Sequence, residues 1–122
     1  MKLGDLEIYK LAREISKDAW DIYNKLDWNT KKTIGNQFIC AIDSVGANIA
    51  EGFGRFHFLD KNKFNYNARA SLLESTHWSE LLEERNKTDK EHAILLKEKL
   101  EKLHFKLNNY INTTKKQVDK GK

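Results

Sequence analysis

The stretch Gln37-Phe38-Ile39-Cys40-Ala41-Ile42-Asp43-Ser44-Val45-Gly46-Ala47-Asn48-Ile49-Ala50-Glu51-Gly52-Phe53-Gly54-Arg55 decides the fold. Phe38, Ile42, Val45, Ile49 and Phe53 fall 4, 3, 4 and 4 residues apart, the spacing that lines up one face of an α-helix. Ile34 extends the stripe backwards, and Gly52-Phe53-Gly54 closes it, because glycine near a helix end is a stop signal. A helix over about residues 30–54 follows. The 122-residue chain contains no proline, as expected of long helices whose interiors proline would break.

Stripes of the same period lie on either side. Ile8, Leu11, Ala12, Ile15, Ala19, Ile22 and Leu26 predict a helix over about 5–27 with Asp5 as N-cap, ending in a polar corner at Trp28-Asn29-Thr30. Downstream, Phe64, Ala68, Ser71, Leu72, Ser75, Trp78 and Leu82 predict a third helix over about 60–86, capped by Asp60. Thr88 and Glu91 read as a capping box for a fourth, over about 89–114, which buries Ala93, Leu96, Leu100, Leu103, Leu107 and Ile111 and frays beyond Thr114. Connections of a few residues force neighbours to run antiparallel. The expected fold is all-α, an antiparallel up-down-up-down four-helix bundle forming one domain over 1–122.

Composition narrows the function. Apolar residues at 39% and charged residues at 33% suit helices with one dry and one wet face. A single cysteine, Cys40, leaves neither an internal disulfide nor a cysteine cluster for zinc. No run approaches eighteen apolar residues, and no apolar block follows Met1-Lys2-Leu3-Gly4-Asp5, so a cytoplasmic protein without a membrane partner is expected. The net charge of +4 is uneven: residues 1–86 hold 12 Lys/Arg against 13 Asp/Glu, and residues 87–122 hold 10 against 5. The excess sits in the last helix and tail, with Lys115, Lys116, Lys120 and Lys122 at its end. Such a tail either attracts nucleic-acid phosphates or merely solubilises a frayed helix end.

Chemistry finds little footing. Glu74…His77 and Glu101…His104 carry the Glu-x-x-His spacing of di-iron bundles. At 100° per residue, however, Glu101 lies about 120° from its helix's apolar stripe, and Glu14 and Glu51 also point away from theirs. No metal is expected. Cys40, flanked by Phe38, Ile39, Ala41 and Ile42, reads as a small inert thiol, and the four histidines are scattered. Gly52-Phe53-Gly54 follows a helix, whereas a phosphate cradle precedes one. No catalytic residue, cofactor or small-molecule substrate is expected.

Two non-core signals remain. Gln37, Ala41, Ser44, Asn48, Glu51 and Arg55, spaced 4, 3, 4, 3 and 4, form a heptad seam away from the apolar stripe. The seam has small residues and no lysine, which reads as an assembly or docking surface rather than an ordinary solvated face. Gly46, mid-helix, suggests close backbone packing or a bend. Arg55-Phe56-His57-Phe58 reads either as a stacking platform for single-stranded nucleic acid or as an aromatic plug under the end of the bundle, the plug being the expectation.

These residues also carry a resemblance. Asp5-Leu6-Glu7-Ile8-Tyr9-Lys10-Leu11-Ala12 resembles the opening of a bacterial family of four-helix bundle proteins, often encoded in intervening sequences of 23S ribosomal RNA genes. Ser44 to Arg55 is similar to that family's most distinctive stretch, and Ala70-Ser71-Leu72-Leu73-Glu74 resembles its third-helix motif. The family commonly has proline where this chain has Gly46. The resemblance implies a four-helix bundle, often a ring-like homopentamer. It also implies kinship with the accessory protein of diversity-generating retroelements, a basic pentamer that binds nucleic acid and a reverse transcriptase.

The sequence therefore predicts a non-enzymatic homo-oligomer, a pentamer, serving as scaffold or binding module for RNA or a nucleoprotein. The seam would carry subunit contacts, while Arg55, Lys115, Lys116 and Lys120 would meet phosphate. The alternative is a protein–protein interaction module without a nucleic-acid role.

Overall fold

The computed structural model describes residues 1–121, and those residues form four long helices and no strand. Lys122, counted above with the basic tail, lies outside the described residues. The helices are α1 (Glu7–Asn24), α2 (Asn36–Phe53), α3 (Phe58–Glu84) and α4 (Lys90–Lys120). Their directions follow from paired side chains. Lys106 meets Glu7 at 2.6 Å and Lys99 meets Glu14 at 2.8 Å, so α1 and α4 run oppositely. Asn62 reaches the Ile111 carbonyl and Arg69 reaches Asn108, which sets α3 against α4 in the same way. Lys106 and Lys99 also hold the carboxyls of Glu7 and Glu14 below the usual range, through hydrogen bonds first and charge second.

Every apolar residue predicted for the stripes of α1 and α4 is buried. Phe38, Ile42, Val45 and Ile49 of α2 are equally dry, while Ile34 and Phe53 are half-buried at its ends. Helix α3 differs. Of its seven buried residues, Asn62, Asn65, Ser75 and Ser79 are polar, and Phe64, Ser71 and Trp78 of the predicted stripe are only half-buried. The buried asparagines are satisfied in series: Asn65 Nδ2 donates to Asn62 Oδ1 at 3.0 Å, and Asn62 Nδ2 donates to the Ile111 carbonyl at 3.1 Å. The Asn62 bond sets the register of α3 on α4, since its amide would lose the Ile111 carbonyl on sliding, while Asn65 holds Asn62 in place from within α3.

Helix ends depart from the sequence expectation in detail. Asp5 lies in a 3₁₀ turn (Leu3–Asp5), where its carboxylate accepts from the Lys2 N–H, and Leu6 precedes α1 instead. Asp60 falls within the first turn of α3, where its charge suits the positive helix end, and His57 precedes the helix. The cap of α4 is Asp89, whose carboxylate accepts from the His92 N–H at 2.9 Å, one residue beyond the predicted Thr88. Helix α4 also continues to Lys120 instead of fraying after Thr114. Thr114 is buried, its hydroxyl donates to the Tyr110 carbonyl, and Val118 extends the stripe as a half-buried residue.

The expected corner at Trp28-Asn29-Thr30 is a helical turn capped by Asp27, followed by a π-helical segment, Lys31–Gly35. Thr33 there has φ −108° and ψ −105°, so the break before α2 sits at Thr33 and not at Gly46, through which the helix runs on. Asp27 Oδ1 accepts from the Thr30 N–H at 2.9 Å, Oδ2 accepts from the Thr30 hydroxyl at 2.9 Å, and Lys87 Nζ lies 3.3 Å away. Thr30's two donors, then Lys87, lower the Asp27 pKa from 3.8 to about 2. A carboxyl depressed in this direction stabilises the fold above its unfolded pKa and loses that contribution as the pH falls through its folded one. Asp27→Ala should therefore melt below the parent at pH 7, with the gap closing between about pH 4 and pH 2. Thermal melts by circular dichroism at the three values check this, and a gap undiminished at pH 2 would contradict it.

Candidate functional site

The α2–α3 joint explains the glycine of the distinctive stretch. A Cβ on Gly52 would lie 3.0 Å from the Lys61 carbonyl oxygen, 3.2 Å from Phe64 Cβ and 3.3 Å from Asn65 Oδ1. Only a hydrogen fits where the two helices meet. Lys61 Nζ donates to the Phe53 carbonyl at 3.0 Å, capping α2 with a cation at its negative end. Arg55 lies over the Phe64 ring, 4.7 Å from its centroid, and meets Glu51 at 3.3 Å. Its side chain is still 47% exposed, and a surface pair of this kind holds it weakly.

The aromatic cluster beside Arg55 is not a plug. Phe56 is 87% exposed, Phe58 43% and Leu59 70%, so the rings stand out from the end of the bundle. Only residues 54–57 connect α2 and α3, and the nearby core positions are already taken by Ile49, Ala68 and Ile111. Lys63 is exposed on the next turn of α3, and Lys115, Lys116 and Lys120 are exposed on the last turns of α4. Because Asn62 is level with Ile111 and the helices are antiparallel, these lysines belong to the same pole as Arg55 and Phe56.

The seam on α2 is rotated from its expected place. Ala41 is 3% exposed and so is already covered within this chain. Ser44 and Asn48 are half-buried and spend their side chains locally, donating to the carbonyls of Cys40 and Ser44. Gln37, Glu51 and Arg55 are exposed. The open line of the helix runs instead through Cys40, Asp43 and Ala47, so the thiol expected among core residues is on the surface. Beside this line α1 and α2 leave a shallow groove, with Gly46, Ala47, Ala50 and Ser16 on its floor and Tyr9, Arg13 and Asp43 on its walls. It opens towards Trp20 and Lys17 at one end and towards Glu51 and Arg55 at the other. A Cβ added to Gly46 would sit at an ordinary 3.7 Å from Ala12 of α1.

The groups with catalytic or metal-binding potential stay apart. Glu74 and His77 are exposed on α3 and Glu101 on α4, Glu14 is paired with Lys99, and Glu51 with Arg55. Among the described residues no three His, Cys, Asp or Glu side chains converge on a point that could hold a metal ion. Nor is any described helix long and apolar enough to cross a membrane.

Comparison with known proteins agrees with this architecture. No curated protein matches the sequence. A crystal structure of a protein of unknown function from the S23 ribosomal protein family of Bacteroides thetaiotaomicron superposes with a TM-score of 0.80, covering 86% of this chain and 95% of that one at 20% identity. That likeness establishes the fold. The model of the 23S rRNA-intervening sequence protein family matches residues 4–109, and the chain belongs to that family.

Proposed function

We propose that the protein is a non-enzymatic homo-oligomer, a pentamer, that presents its basic pole to RNA or to a nucleoprotein. The observation that carries this reading is the pole itself: exposed Phe56, Phe58 and Leu59 beside Arg55, Lys63, Lys115, Lys116 and Lys120. Protruding aromatics among cations suit stacked bases and phosphate. One chain at +4 is a weak lure for a polyanion, whereas five copies at +4 each carry +20. Assembly is therefore part of the proposal. The groove between α1 and α2, floored by Ala47 and Ala50, lets a neighbouring helix approach closely, with Arg13, Asp43 and Glu51 to fix its register. The kinship with the retroelement accessory protein that the sequence resemblance implies would point the same way.

Binding of this kind is driven by counterion release, so affinity for a labelled RNA strand should fall steeply with added salt and depend little on sequence. Replacing Lys115, Lys116 and Lys120 together by alanine removes three phosphate contacts. The slope of log affinity against log salt should then drop by about 2 for a single strand. An unchanged slope, or no binding at low salt, would overturn the nucleic-acid reading. The groove alone supports a second reading, a docking module for another protein, under which the triple variant binds its partner as the parent does.

A further inference from the structure

We propose that Trp20, Tyr23 and Trp28, with Lys17, Lys31 and Lys32, form a stacking site for unpaired bases at the pole opposite Arg55. Tryptophan is mostly buried in folded domains, yet Trp28 is 72% exposed and Trp20 52%. Trp20 stacks on Tyr23 with centroids 5.4 Å apart and planes 16° from parallel, and the Tyr23 hydroxyl donates to Asn36 Oδ1 at 2.9 Å. Lys31 Nζ lies 5.3 Å from the Tyr23 centroid, and Lys32 Nζ lies 5.7 Å from that of Trp28. Trp20 is thus held on one face by Tyr23, and both indoles stay largely open to solvent, ready to accept a base.

The charge around these rings selects the occupant. Glu14 and Asp18 share the single cation Lys99, and Asp27 is met by the Thr30 hydroxyl and by Lys87. Exposed acids remain at Asp21 and at Asp43, which lines the same hollow as Lys17 and Trp20, against the cations Lys17, Lys31 and Lys32. Lysine is depleted from the cores of protein–protein contacts, where its hydration must be stripped, but it gains by meeting phosphate. Exposed rings with lysines at their edges therefore favour a single strand over a protein helix. A duplex, whose bases are already stacked on one another, offers the indoles no free face. The site lies at the α1–α2 connection, the length of α2 away from Arg55, about 27 Å for 18 residues.

This inference rests on the nucleic-acid reading above for the class of its partner, and the test separates the two. A fluorescein-labelled oligouridine strand of about twelve nucleotides, enough for one stacking site, and a duplex of equal length are titrated with full-length protein at low salt and followed by anisotropy. Trp28→Ala should weaken single-strand binding about tenfold or more while leaving the duplex within about twofold, and Trp28→Phe should restore most of the loss. The exposure of Trp28 means the variant should keep its parent's circular dichroism. Should it not, quenching of indole emission by the strand in the Lys31→Ala/Lys32→Ala variant, expected to fall with affinity, answers the same question. Single-strand affinity unchanged in both Trp20→Ala and Trp28→Ala overturns the site, and the basic pole then stands alone if the Lys115/Lys116/Lys120 variant is impaired. Dependence on Trp28 without dependence on those three lysines sustains this site and sinks the other. Absence of binding to either form, with indole emission shifting to the blue as protein concentration rises, assigns the rings to a protein contact and overturns the proposal.

Discussion

Gly52→Val should destabilise the bundle by about 3 kcal/mol, the upper range for forcing extra methyl groups into a packed site. The added Cβ would press on the Lys61 carbonyl at 3.0 Å, and backbone cannot swing aside as a flexible side chain can. The branched side chain would also meet Phe64 and the buried Asn65, whose amide anchors Asn62 and, through it, the Ile111 carbonyl. Damage at one joint therefore reaches all three helices that meet there. Gly46→Ala is the control within the same helix. Its Cβ fits at 3.7 Å from Ala12, and a mid-helix alanine gains up to about 1 kcal/mol over glycine in propensity. Urea unfolding of the two variants, followed by circular dichroism, should show opposite displacements from the parent. A Gly52→Val midpoint equal to the parent's would contradict the close approach of α2 and α3.

The contrast between these glycines marks where sequence reasoning holds. Helices α1 and α4 carry unbroken apolar stripes, and hydrophobic periodicity alone placed their buried faces. Helix α3 could not be read so fully. A buried Asn62 looks like a surface residue until its acceptor, the Ile111 carbonyl 49 residues away, is brought alongside. The break at Thr33 was hidden for a similar reason, since Asp27 and Thr30 make a helix-initiating turn from residues that also read as a polar corner. On α2 the expected heptad seam lies opposite the apolar stripe, as for a helix with one dry side. That helix packs against both α1 and α3, so its dry arc is wide enough to cover Ala41 and to leave Cys40, Asp43 and Ala47 as the open line. Phe56 and Phe58 depart from the expected plug because hydrophobicity says nothing of whether the core has room left for them.

Ala47→Arg should break assembly without harming the fold. Ala47 is exposed on the groove floor, so within one chain the longer side chain meets solvent and costs little. In the proposed oligomer the same position faces a neighbouring helix, where a guanidinium would fill the space that helix needs even when it pairs with Asp43 or Glu51 one turn away. Removing one partner's complementarity at the centre of such a contact typically costs several kcal/mol of association, enough to turn a stable ring into monomers at micromolar protein. RNA binding should weaken with it, because the charge of +4 per chain would no longer be gathered. Analytical ultracentrifugation of the variant checks the first effect and anisotropy with labelled RNA the second. A variant that sediments like the parent removes the groove from the assembly surface.

The central claim, that function depends on copies gathering their basic poles, is tested most directly by the solution mass of the unmodified protein. Multi-angle light scattering at low and moderate salt should give about five times the chain mass of 14.3 kDa at both. A mass of 14.3 kDa at micromolar concentration would contradict the account, leaving a monomer whose groove serves some other partner.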